Sequence, residues 1–167
     1  MRQFAVTAAK PYLMRARAKE FITAPDMDAS VKLRRMKFLI YDGPSRLGKT
    51  ELAIAWFGSQ HTLVVNAQDT VSPNLRAMQT GKCNAIVFDE GGWELCAKNK
   101  LMFQASSRPV ELSQSQCNDR CYRVLLFRVP MIVCSNNFWQ GCKDAGLREW
   151  IEQNSYYVAV NERVFVL

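Results

Sequence analysis

Short runs of unbroken apolar residues punctuate the chain, each ending on a polar or glycine position. Phe38-Leu39-Ile40-Tyr41, Ala85-Ile86-Val87-Phe88 and Met131-Ile132-Val133-Cys134 show no alternation. They are too short for helices, and a strand that is apolar at every position needs cover on both faces. Thr62-Leu63-Val64-Val65 predicts a further strand. Between these runs, Glu51–Phe57 is rich in helix formers and stops at Gly58. Trp93–Ser106 predicts a helix, and Val71–Gln79 a short helix or loop broken by Gly81. The interval from Gly141 to Gln153 contains an amphipathic helix with Leu147, Trp150 and Ile151 on one side. Val110-Glu111-Leu112 and Cys121–Leu125 predict the arms of a β-hairpin around the polar stretch Ser113–Arg120. Two alternating or apolar runs, Tyr156–Val160 and Val164–Leu167, close the chain.

The lead segment has a different character. A loose start precedes a basic helix around Tyr12–Phe21 that ends before Pro25, and Ser30 caps a short helix running to Met36. Residues 1–37 hold nine Lys/Arg against three Asp/Glu, a net +6, whereas the rest holds thirteen against twelve, a net +1. This divides the chain into a basic helical segment, 1–36, and a nearly neutral body, 37–167. A basic arm predicts a polyanionic partner, nucleic acid first. Residues 1–19 carry five Lys/Arg and no acid but lack the serine richness of a transit peptide.

Composition narrows the class further. At 167 residues, 49% apolar and 22% charged, the body is of single-domain size with a substantial core. No run of 18 apolar residues occurs, so no transmembrane helix and no membrane partner are expected. The six cysteines contain no Cys-x-x-Cys pair and His61 is the lone histidine, which is poor material for zinc. All six are expected as free thiols of an intracellular protein, mostly packing residues.

Chemistry enters at Gly43-Pro44-Ser45-Arg46-Leu47-Gly48-Lys49-Thr50, the G-x-x-x-x-G-K-T phosphate-binding pattern. It follows a strand and opens a helix, the context in which backbone N–H groups and a helix N-terminus face an anion. Lys49 is expected to reach the β- and γ-phosphates of ATP, and Thr50 to ligate Mg²⁺. Asp89 and Glu90 end a later apolar strand: Asp89 suits the metal, Glu90 a proton taken from the attacking water. Asn136 ends another strand, where it can orient water and γ-phosphate without charge, with Asn137 as fallback.

Together Gly43–Thr50, Val87–Trp93, Val133–Asn136 and, more weakly, Leu147–Ser155 resemble the superfamily 3 helicase domain. That domain occurs in the replication-initiator (Rep) proteins of circular single-stranded DNA viruses and related plasmids. The resemblance covers about residues 36–160. It implies an α/β fold, a three-layer P-loop NTPase of AAA+ type, with a mainly parallel central sheet and an inserted β-hairpin. The Asn-bearing strand is expected between the two motif strands. The family assembles hexameric rings whose neighbouring subunit contributes a cation, for which Arg148 is the first candidate and Arg163 the second. Its hairpin grips single-stranded DNA, with RNA as the other possibility. Arg120 and Arg123 occupy that place here, with Arg128 near the base. A viral-like member would work in the nucleus of a host cell.

Two departures accompany the resemblance. The hairpin tip reads Ser113-Gln114-Ser115-Gln116 where the family carries Lys-Gly. The nicking nuclease domain of full-length relatives needs a pair of histidines, so it is not expected in this chain. Three rival functions stay open: a small P-loop kinase, a nucleotide- or DNA-binding module without turnover, and an AAA+ remodeller acting on protein. A kinase needs an acceptor pocket and a lid, and no clear lid is visible in the sequence.

Overall fold

The unbroken apolar runs become strands whose neighbouring residues face opposite ways into two separate cores. In a computed structural model of the chain, residues 37–68, 73–79, 81–113 and 121–164 are described. The lead segment 1–36, with its expected basic helices, lies outside them, as do the hairpin tip 114–120 and residues 165–167.

Strand β1 (Phe38–Asp42) leads through the Gly-rich loop into helix α1 (Lys49–Phe57), which Gly58 ends at φ 84°. A 3-10 turn (Ser59–His61) then enters β2 (Thr62–Asn66). Short α2 (Arg76–Gln79) precedes β3 (Ala85–Asp89), α3 (Trp93–Lys98) and α4 (Lys100–Phe103). A hairpin of β4 (Val110–Ser113) and β5 (Cys121–Val124) follows, then β6 (Met131–Ser135), α5 (Ala145–Asn154) and β7 (Ser155–Ala159).

The central sheet has the order β2-β3-β6-β1-β7, and all its pairings are parallel. Phe38 and Ile40 of β1, Ile86 and Phe88 of β3, and Met131 and Val133 of β6 face the core under α3, α4, α5 and the hairpin. Leu39, Tyr41, Val87, Ile132 and Cys134 face the other way, toward Leu52 and Ala53 of α1. Side chains alternate across a strand, so burying both faces demands apolar residues throughout. The fold is therefore a three-layer α/β arrangement around a parallel sheet. β6 lies between β1 and β3, as the resemblance implies.

Two expected elements are corrected. The single helix Trp93–Ser106 is two helices, because Asn99 adopts φ −120°, ψ 36° and donates its side-chain amide to Leu95 O at 3.0 Å. The Asn99 backbone N–H donates to the same carbonyl at 3.1 Å, so the side chain caps the end of the first helix, and the second helix stops at Phe103. The hairpin arm beginning at Cys121 ends at Val124, leaving Leu125 56% exposed rather than in the strand.

Parallel pairing puts the carboxyl ends of β1, β2, β3, β6 and β7 along one edge of the sheet. The Gly-rich loop, Asp89-Glu90 and Asn136 all leave from that edge.

Candidate functional site

The loop after β1 is shaped by glycine. Gly43 has φ 155°, and a Cβ there would lie 2.0 Å from the carbonyl oxygen of Val160. No other residue fits without moving backbone. Gly48 caps α1 at φ 83° with no side-chain hydrogen bond. The first intrahelical bond runs from Leu52 N to Gly48 O at 2.9 Å. The preceding N–H groups of α1 therefore have no acceptor within the helix and point into the loop.

Lys49 is 6% exposed. Its ammonium donates to Gly43 O and Pro44 O, both at 2.7 Å, and to Asn136 Oδ1 at 3.2 Å. Burial lowers its pKa below the ordinary lysine value, and the carboxylates of Asp42, Asp89 and Glu90 oppose that shift. Cys134 lies near the same group, but burial pushes its thiol up to about 12, so it carries no charge near neutrality.

Thr50 Oγ1 donates to Asp89 Oδ1 at 2.7 Å, joining α1 to the end of β3. Glu90 N also donates to Asp89 Oδ1, at 3.1 Å. Glu90 itself is exposed and held at φ 55°, the left-handed region that a side chain other than glycine seldom adopts. Gly91 follows where the chain passes close to β6: a Cβ on it would stand 2.7 Å from Val133 Cγ1. Beside Glu90 opens a cavity of about 150 Å³, bordered also by Glu94, Lys98 and Asn99.

Asn136 is the first residue beyond β6, exposed, with its amide oxygen on Lys49. Asn137, the fallback, is exposed and lends its carbonyl to Gln140 N at 3.2 Å. Lys49 and Thr50 of α1, Asp89 at the end of β3 and Asn136 beyond β6, three separate elements, thus meet in one cluster with Glu90 on its border.

Two further groups belong to this edge and were not singled out in the sequence. Asp42, the last residue of β1, accepts from Phe138 N at 2.9 Å and from the Tyr157 hydroxyl at 2.5 Å. Burial, the hydrogen bond to Asp42 and its negative charge all raise the Tyr157 hydroxyl above the usual tyrosine value. The signal for Asp42 was its place, a carboxylate closing an apolar strand directly before Gly43. Tyr157 offered none, since it sits in an ordinary alternating run.

The arginines expected to act on a neighbouring subunit or on DNA are placed as follows in the fold. Arg148, in the first half of α5, is exposed, with its guanidinium 4.6 Å from the centre of the Trp139 ring. It makes no hydrogen bond to Lys49, Asp89 or Asn136. Arg163 is exposed, next to Val164, whose N–H reaches Leu47 O at 2.9 Å. Arg123 faces Glu111 directly across the hairpin, with Nε 3.7 Å from its carboxylate, in a pair 77% and 58% exposed. Such a pair contributes only about 0–1 kcal/mol. Arg128 lies over the Phe127 ring at 4.9 Å, and Arg120 falls outside the described residues.

No family model matches the chain, and no curated protein matches it. Among solved structures, a JCV helicase determined with a bound thiazolopyridine acetamide is similar at 11% identity and a TM-score of 0.47. The match covers 98% of this chain and 47% of the helicase, so the chain spans about half of that protein's length.

Chemically, the cluster suits a bound polyphosphate and a divalent cation. The glycine cradle and open helix N-terminus provide N–H donors, Lys49 provides a movable positive charge, and Thr50 with Asp89 provides the hard oxygen pair that Mg²⁺ prefers. The carbonyls that now hold Lys49 are weaker partners for it than phosphate oxygens.

Proposed function

We propose that the chain hydrolyses ATP and couples the reaction to movement along single-stranded DNA, in the manner of a superfamily 3 helicase. The observation that supports this most is the junction of three strand ends: Lys49 Nζ lies 3.2 Å from Asn136 Oδ1, and Thr50 Oγ1 lies 2.7 Å from Asp89 Oδ1.

In this reading the loop Gly43–Thr50 binds the phosphates through its N–H groups, and Lys49 leaves the Gly43 and Pro44 carbonyls to neutralise them. Thr50 and Asp89 hold Mg²⁺, which when bound supplies positive charge against the triphosphate. Glu90 accepts a proton from water as the new P–O bond forms and the bond to the departing ADP breaks. Asn136 orients that water by hydrogen bonding. Arg148 of a neighbouring subunit neutralises charge in a ring assembly, and Arg120 and Arg123 contact the DNA backbone.

ATP turnover measured with and without single-stranded DNA tests the whole reading. Hydrolysis that DNA stimulates is the expected result. No turnover under either condition, or transfer of phosphate to a small acceptor, overturns it. The Arg123–Glu111 pair favours a second reading, in which the hairpin charge is partly spent within the chain and hydrolysis proceeds without DNA stimulation.

A further inference from the structure

We infer that Asp42 is a positioning residue, fixing the loop that carries Asn136 against the loop that carries Lys49. The inference rests on the hydrolysis reading above and adds to it a residue that never touches the nucleotide.

Asp42 ends the strand that lies between β6 and β7, paired in register with Ser135 on one side and Ala159 on the other. Its two carboxylate oxygens take separate donors from those neighbours: Phe138 N beyond β6, and the Tyr157 hydroxyl on β7. Its own carbonyl is engaged by Val160 N at 2.7 Å, so the side chain is the part of Asp42 that reaches the β6 loop, beside the bonds Gly43 N to Ser135 O and Trp93 N to Phe138 O, both 3.2 Å. Hydrogen bonds to an ionised acceptor are about twice as strong as neutral ones.

Phe138 is two residues past Asn136, and its ring is fully buried, edge-on to Trp139 at 4.9 Å. The grip on Phe138 N therefore sets where the Asn136 loop leaves the sheet. On the other side, Gly43 and Pro44, whose carbonyls hold Lys49, follow Asp42 directly in the chain. The carboxylate thus ties the strand that leads into the Lys49 loop to the loop that carries Asn136, the two sides of the 3.2 Å contact between Lys49 and Asn136. Asn136 is exposed and its side chain is bonded to Lys49; orientation at a reacting centre is lost by displacements of about 1 Å, at a cost of about 10²-fold in rate.

The test follows kcat, KM for ATP and the thermal midpoint in the full chain. It uses Asp42→Ala, Asp42→Asn and Tyr157→Phe, each alone and combined with Asn136→Ala, with Lys49→Ala alongside. Asp42→Ala is expected to lower kcat about ten- to a hundredfold while KM moves by less than about threefold. Asp42→Asn, which keeps an acceptor for Phe138 N, recovers most of that turnover. In the Asn136→Ala background Asp42→Ala costs nothing further, because both act through one contact. Parental turnover in Asp42→Ala, or losses that simply add, overturns the inference.

If Asp42→Ala does not fold, Tyr157→Phe carries the test. It should lower kcat in the parent and leave it unchanged when Asn136 is already alanine. Equal loss in both backgrounds, or loss in neither, overturns the inference. Should Lys49→Ala hydrolyse ATP like the parent, the hydrolysis reading falls and this role with it. If Lys49→Ala is inactive and the Asp42 and Asn136 losses add, only the positioning role falls.

Discussion

At the scale of single residues, the site separates binding from turnover. Lys49 is a buried ammonium now held by two backbone carbonyls and one amide. Hydrogen bonds to a charged group contribute about 1.5–3 kcal/mol, so Lys49→Ala should weaken ATP binding about ten- to a hundredfold, as read by titration with a fluorescent analogue. Glu90 lies on the rim, exposed, so Glu90→Gln should leave that affinity in place and cut hydrolysis by about 10²–10⁴-fold. The thiols make a third prediction. Cys96 and Cys134 are buried and their pKa values raised, so alkylation at pH 8 should mark exposed Cys121 well before either, by peptide mass spectrometry. A Cys134 proton kept to about 12 when folded, but released near 9.0 when unfolded, makes this group's contribution to stability fall as pH rises through that interval.

At the scale of elements, local rules explain most boundaries and fail where a single residue leaves helical dihedrals or a contact spans distant segments. Helix α5 falls in the interval expected to contain an amphipathic helix, with Leu147 and Ile151 buried and Trp150 half-buried. Its start depends on Asp144, whose carboxylate accepts from Leu147 N at 2.9 Å. Asp144→Ala should cost about 1 kcal/mol in chemical denaturation, with the helix otherwise retained. The helix expected over Trp93–Ser106 breaks at Asn99, which leaves helical dihedrals while its side-chain amide and its own N–H share Leu95 O, a choice that helix propensity does not reveal. The hairpin alternates cleanly, Val110, Leu112, Tyr122 and Val124 inward, Glu111 and Arg123 outward, and that period was plain in the sequence. Tyr122 also explains why the hairpin packs where it does: its hydroxyl accepts from Leu75 N at 2.7 Å and donates to Pro73 O at 3.3 Å. That link, 47 residues away in the chain, had no local signature.

At the scale of the whole molecule, the decisive fact is the strand order. With β6 between β1 and β3, Lys49 and Asn136 meet although 87 residues separate them. Arg148 projects over Trp139 and makes no hydrogen bond within this cluster, which suits service to a neighbouring copy in the proposed ring. Arg148→Ala subunits should then be inactive alone but regain turnover when mixed with Lys49→Ala subunits, in a steady-state ATPase assay; mixing that restores nothing would refute the role. What the sequence by itself determined was local. The apolar runs announced strands covered on both faces, and Gly43 to Thr50 announced an anion-binding turn, because burial and loop geometry are written in adjacent residues. What only the tertiary structure decided was adjacency: which strands are neighbours, and that Asp42 would find Phe138 N and the Tyr157 hydroxyl. Periodicity reports whether a side chain is buried and not what buries it, so a contact between distant strand ends exists only once the sheet has assembled.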